Sequence, residues 1–256
     1  MWEGGKRERK LSRREVLFGG AGLAAGAIAT NAVSSCGMGL SSRADAREIT
    51  FPWPYEKIDL QEVAQIAYES FYKDLCCYGV SRGIMVPLQE KIGEPYISQP
   101  LYEGLKLGAG GIAEWGTVCG ALLGATVITG FMVPLDAGKQ IINELFQWYS
   151  DSPFPVYEPD KPKTQVSVQS ISDSPLCHIS VGKWLKSAGR AIKSPEQRER
   201  CARLTADVAI RTAMLLNEWK DGKFHSVLNL PIDMHGITSQ SNCTECHTSK
   251  VPMANR

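Results

Sequence analysis

The chain has 256 residues, with 28 Lys and Arg against 27 Asp and Glu, 43% hydrophobic and 21% charged, a balance that excludes wholesale disorder, collagen-like repeats and a multispanning membrane protein. Six of the bases and three of the acids fall in the first 36 residues, leaving 22 and 24 for the remainder. A body this close to neutral argues against a nucleic-acid partner, whose phosphates need a clustered basic face.

Residues 1–36 read as an export signal. Ser12-Arg13-Arg14-Glu15-Val16-Leu17 places paired arginines directly before a Gly- and Ala-rich apolar stretch from Val16 to Val33, the order of a twin-arginine signal, which moves folded proteins out of the bacterial cytoplasm. The expected location is therefore the periplasm. A Sec-type signal or a single membrane anchor is the competing reading. Val33-Ser34-Ser35-Cys36 is a weak lipoprotein box, so the expected contact with a membrane is at most a lipid anchor at Cys36.

A linker over 37–57 precedes Asp59, which with Glu62 three residues on forms a capping-box-like helix start. Ile66, Ala67, Phe71 and Leu75 recur at helical spacing and predict a helix that carries Cys76 and Cys77 near its end or into the next one. Residues 86–104, with Pro87, Pro95 and Pro100, read as a loop. From Gly108 to Val133 the chain is small and apolar, and Gly116, Gly120 and Gly124 recur every four residues, predicting a buried central helix with Cys119 in its middle. The 19 uncharged residues from Trp115 to Val133 also match a membrane span in length, but Leu, Ile and Phe are too few for strong insertion. Pro134 ends that helix, and 137–149 is amphipathic through Ile141, Ile142, Leu145, Phe146 and Trp148. Residues 163–172 alternate as a short strand. Ser174-Pro175 and Ser194-Pro195 each put a capping hydroxyl before a Pro suited to the first helical turn. Cys201, Leu204, Val208, Leu215 and Trp219 follow as a core-facing stripe. The predicted fold is mostly α: a helical bundle around a Gly/Ala-rich central helix, with the cysteine-containing domain over 58–221 and an irregular haem-binding segment over 222–256.

That last segment carries Cys243-Thr244-Glu245-Cys246-His247, the C-x-x-C-H spacing of covalent haem c attachment, in which two thiols add to the porphyrin vinyl groups and the adjacent His binds iron. A disulfide or half a zinc site is the bland alternative, and zinc would need a second ligand pair that the segment lacks. A sixth strong ligand favours electron transfer, whereas an open position favours binding a small molecule. The candidate distal ligands are His235 and His178, with His225, Met234 and Met253 behind them, and a bis-His iron is the favoured arrangement.

Cys76, Cys77, Cys119, Cys177 and Cys201 remain. They are open to a reading as buried apolar side chains or disulfides and to a sharper one as thiolate ligands of an iron–sulfur cluster, which needs four. Twin-arginine export fits the second, because such a cluster is built in the cytoplasm and travels inside a folded domain.

Cys76-Cys77-Tyr78-Gly79-Val80, the run Gly116-Thr117-Val118-Cys119-Gly120-Ala121 with Gly124-Ala125, and Ser174-Pro175-Leu176-Cys177-His178 resemble the split-Soret cytochrome c family, itself part of a wider group of redox proteins named for a C-GCAxxG-C-C pattern. The resemblance implies a helical, dimeric, exported cytochrome with haems of two chains packed close together and a cysteine-ligated iron–sulfur centre. It carries the pattern's cysteines onto Cys76, Cys119, Cys177 and Cys201, leaving Cys77 spare. The family carries two haems per chain, whereas this sequence has a single C-x-x-C-H. The expected function is single-electron transfer with redox partner proteins. A small-molecule reductase working at an open haem, and a cysteine-based redox sensor, are the alternatives.

Overall fold

The structure is a computed structural model that describes residues 50–226. The export signal, Cys36, His235 and the haem motif at Cys243, Cys246 and His247 lie outside the described residues.

Among the described residues, five α-helices and one 3₁₀ helix carry the fold. The first, α1 (Leu60–Ile92), starts where the sequence predicts: Asp59 Oδ1 accepts from the backbone N–H of Gln61 and Glu62, each at 2.9 Å. It is not one rod. Asp74 (φ −142°, ψ 33°) and Leu75 (φ 68°, ψ −164°) leave helical geometry, and the chain reverses there into two antiparallel arms. A Cβ on Gly79 would lie 2.9 Å from Ala67 O, and one on Gly83 would lie 2.9 Å from Val63 O. Two glycines four residues apart thus let the arms touch backbone to backbone. The second arm runs through buried Pro87 to Ile92, so the expected loop over 86–104 is corrected. Helix persists to 92 because packing outweighs proline's intrinsic cost, and Leu101–Gly108 is a 3₁₀ helix.

The central Gly/Ala-rich helix exists but is shorter than predicted. It is α2 (Gly120–Met132), with Cys119 at its N-cap instead of mid-helix. Gly116 lies outside it with φ +73°, where a residue bearing Cβ is disfavoured. Residues 110–116 turn repeatedly through left-handed geometry, at Gly110, Gly111, Ile112, Ala113, Glu114 and Gly116. Among the described residues no helix is long and apolar enough to cross a membrane. Helix α3 (Leu135–Asp151) has Pro134 at its N-cap and starts two residues before the amphipathic stretch read over 137–149. Strands β1 (Pro153–Phe154) and β2 (Ser170–Ile171) form one small antiparallel pair, with Pro153 opposite Ile171. Helix α4 (Cys177–Ala188) starts three residues after Ser174, whose hydroxyl caps the preceding turn by accepting from Leu176 N–H at 3.2 Å. Helix α5 (Pro195–Lys220) starts at Ser194, which accepts from Gln197 N–H, with Pro195 in its first turn.

The core lies between both arms of α1, α2, α3 and α5. It reaches into the stretch assigned to the linker, since Trp53 and Tyr55 are each 3% exposed and Trp53 stacks on Phe131 with ring centroids 4.9 Å apart.

Candidate functional site

Four of the five cysteines line one cavity of about 460 Å³ together with Tyr149, His178 and Arg200. Cys76 is brought there by the reversal at Leu75, which makes it the first helical residue of the second arm. Cys119 caps α2, Cys177 opens α4, and Cys201 sits in the second turn of α5. The segments bearing Cys119 and Cys177 are zipped together by backbone hydrogen bonds. Cys177 N–H donates to Thr117 O at 2.7 Å and Cys119 N–H to Pro175 O at 2.9 Å, around an antiparallel bridge between Val118 and Leu176. Cys77 points elsewhere: it is fully buried, and a Cβ on Gly108 would lie 2.4 Å from its sulfur. It is a core side chain.

Helix ends and one backbone N–H favour charge on sulfur, but burial and the neighbouring sulfurs outweigh them. Three of the four cysteines stand at the start of a helix, where unpaired N–H groups point outward. Gly110 N–H hydrogen-bonds the Cys76 sulfur, and Tyr149, whose O–H donates to Ser180 Oγ at 2.9 Å, lines the cavity with Cys119. Burial pushes the Cys76 thiol up, with the neighbouring Cys119 sulfur adding to it. Burial likewise raises the Cys177 thiol to about 12, reinforced by Cys119 and Cys201. Thiols raised by confinement and mutual repulsion are ligands that release protons only to a cation, because metal binding is what deprotonates them.

Among the described residues no three His, Cys, Asp or Glu side chains converge closely enough to grip a single metal ion. The sulfurs instead surround a space, and this donor set fits a group of several atoms. His178 stands at the rim, exposed, with Nδ1 2.7 Å from Gly116 O. Such a contact leaves Nε2 as the outward nitrogen. His225 is exposed after the end of α5.

Residues 78–215 match the family described as "Putative redox-active protein (C_GCAxxG_C_C)". The chain belongs to that family. It is also 35% identical to the split-Soret cytochrome c of Desulfovibrio desulfuricans, over 96% of this chain and 90% of the relative. A solved structure of that cytochrome, described for its novel iron centre, superposes with a TM-score of 0.67 at 36% identity, over 77% of this chain and 82% of the other. The matched stretch contains Cys119, Cys177 and Cys201 and begins just after Cys76 and Cys77.

Sequence reasoning missed Arg200, Tyr149 and Gly110. Arg200 sits in the run Arg198-Glu199-Arg200-Cys201, which reads as a solvated helix face, yet it is 1% exposed. The available signal was its position one turn before Leu204, inside the apolar stripe.

Proposed function

We propose that the chain is an exported electron-transfer protein, with haem c bound covalently through Cys243 and Cys246 and ligated by His247, and an iron–sulfur cluster held by Cys76, Cys119, Cys177 and Cys201. The observation that carries this reading is the convergence on one cavity of four thiols from four separate helical segments. When bound, both groups supply one-electron redox chemistry. The chain's own part is to hold and insulate. Four thiols supply the ligands, Gly110 N–H hydrogen-bonds the Cys76 sulfur, and Phe71, Leu75 and Leu204 line the cavity with apolar surface. Hydrogen bonds to sulfur and burial are the levers by which a protein sets the potential of such a centre.

His235 and His178 are the candidate distal ligands to the haem, and the relative's name supports haem in this chain also. The twin-arginine pattern supports export to the periplasm, and the family resemblance supports a homodimer with closely packed haems that exchanges electrons with redox partner proteins. Replacing Cys119 by Ser is the direct test. It is expected to remove non-haem iron and acid-labile sulfide while leaving one covalent haem per chain, and unchanged sulfide in the variant would contradict the assignment.

A further inference from the structure

Arg200 is a buried cation without a carboxylate. It is 1% exposed, and among the described residues no Asp or Glu oxygen lies within 4.0 Å of it. Its Nη2 donates to Ser180 Oγ at 2.8 Å, Nη1 lies 3.9 Å from Cys201 Sγ, and Nε has no hydrogen-bond partner. The acids nearest to it along α5 are engaged elsewhere. Glu196 pairs with Arg190 at 3.3 Å, Glu199 is bound by Arg203, Tyr68, Tyr72 and Lys163 N–H, and Asp207, whose carboxyl feels the charges of Arg200 and Arg203 from beyond contact, accepts from the N–H groups of Val156 and Tyr157. Arg203, one turn away and 4% exposed, has the ion pair that Arg200 lacks, with Glu199 Oε1 at 2.9 Å.

A desolvated guanidinium is costly unless something anionic faces it. The groups that act on it most strongly are those of the cavity: Cys201, then Tyr149 and Cys119. Tyr149 donates to the same Ser180 Oγ at 2.9 Å, so one hydroxyl joins the arginine to a tyrosine that lines the cavity with Cys119. We infer that Arg200 is a fixed counter-charge built into the wall of the thiol cavity, matched to an anionic cysteine-ligated group, and that Ser180 and Tyr149 hold it in place. The inference deepens the iron–sulfur reading and rests on it. As a positioning residue with a permanent charge, Arg200 stabilises the more negative, reduced form of that group and so raises its reduction potential.

The test compares the full-length wild type with Arg200→Met and Arg200→Lys, each as isolated and after removal of non-haem iron. In the stripped chain, Arg200→Met is expected to melt at the same or a higher temperature than the wild type, because it deletes a buried charge with no carboxylate in contact. In the loaded chain it is expected to melt lower. Its non-haem centre should be at least tenfold harder to reduce, about 59 mV for a one-electron couple, with most of that potential restored in Arg200→Lys. Failure of Arg200→Met to retain iron while its stripped form melts like the wild type also supports the inference. An equal loss of melting temperature in both states, a variant that does not fold, or a potential within threefold of the wild type would overturn it. Absence of non-haem iron and sulfide from the wild type sinks the cluster reading itself, and is read before any variant is made.

Discussion

Gly120 stands where any side chain would strike the Cys76 sulfur: a Cβ built there lies 2.6 Å from Cys76 Sγ and 2.4 Å from Gly108 O. The backbone oxygen cannot swing aside as a flexible side chain can. The expected cost of Gly120→Ala is about 1–3 kcal/mol, as for overpacking elsewhere, accompanied by loss of iron because Cys76 is displaced from the cavity. Thermal melting and iron content of the purified variant check both parts. An Ala variant that keeps its full metal content would show that the glycine serves packing alone.

The helical character and several helix starts were legible, for particular reasons. Asp59 and Ser194 both cap the helices they were read as starting, since a short oxygen-bearing side chain before an apolar stripe carries its own mechanism. The reversal at Asp74–Leu75 was not legible. No Gly or Pro marks it, and Leu75 takes a left-handed φ of 68° that tertiary packing must enforce. The Gly79 and Gly83 pair that allows the arms to touch was present in the sequence but unweighted. Cys119 was placed mid-helix because four-residue glycine spacing continues smoothly through Gly116, and only backbone geometry separates a helical glycine from one needed for a turn. Four cysteines could be named, but their convergence depends on the zipped loops at Val118 and Leu176, contacts almost sixty residues apart that leave no periodic trace.

Glu199 anchors the loop that follows β1 against the helices. It is fully buried and binds Arg203, Tyr68, Tyr72 and the N–H of Lys163. Glu199→Ala leaves Arg203 as an uncompensated buried charge, which costs about 3–5 kcal/mol, a large share of the 5–15 kcal/mol that typically holds a domain together. Urea unfolding of the metal-free chain is expected to show that loss, and the double replacement Glu199→Leu with Arg203→Met is expected to recover a substantial part of it.

Asp207 makes stability depend on pH. Burial raises its carboxyl from 3.8 to about 6, against the opposing hydrogen bonds from Val156 and Tyr157. A raised carboxyl favours the protonated folded state, so the stabilisation is fully present below pH 3.8 and is lost as pH rises through about 6. Across that window the metal-free chain is expected to lose on the order of 2–3 kcal/mol from this group. Asp207→Asn removes the titration, so its stability should vary less between pH 4 and 7 by about that amount, as read from urea midpoints. An identical pH profile in both proteins would contradict the assignment.

The central claim is that the four converging thiols hold an iron–sulfur cluster beside a covalently bound haem. Total iron, acid-labile sulfide and haem, counted per chain on the same purified sample, test it most directly. The account predicts iron in excess of haem, with sulfide matching the excess. Iron equal to haem, with no sulfide, would contradict it.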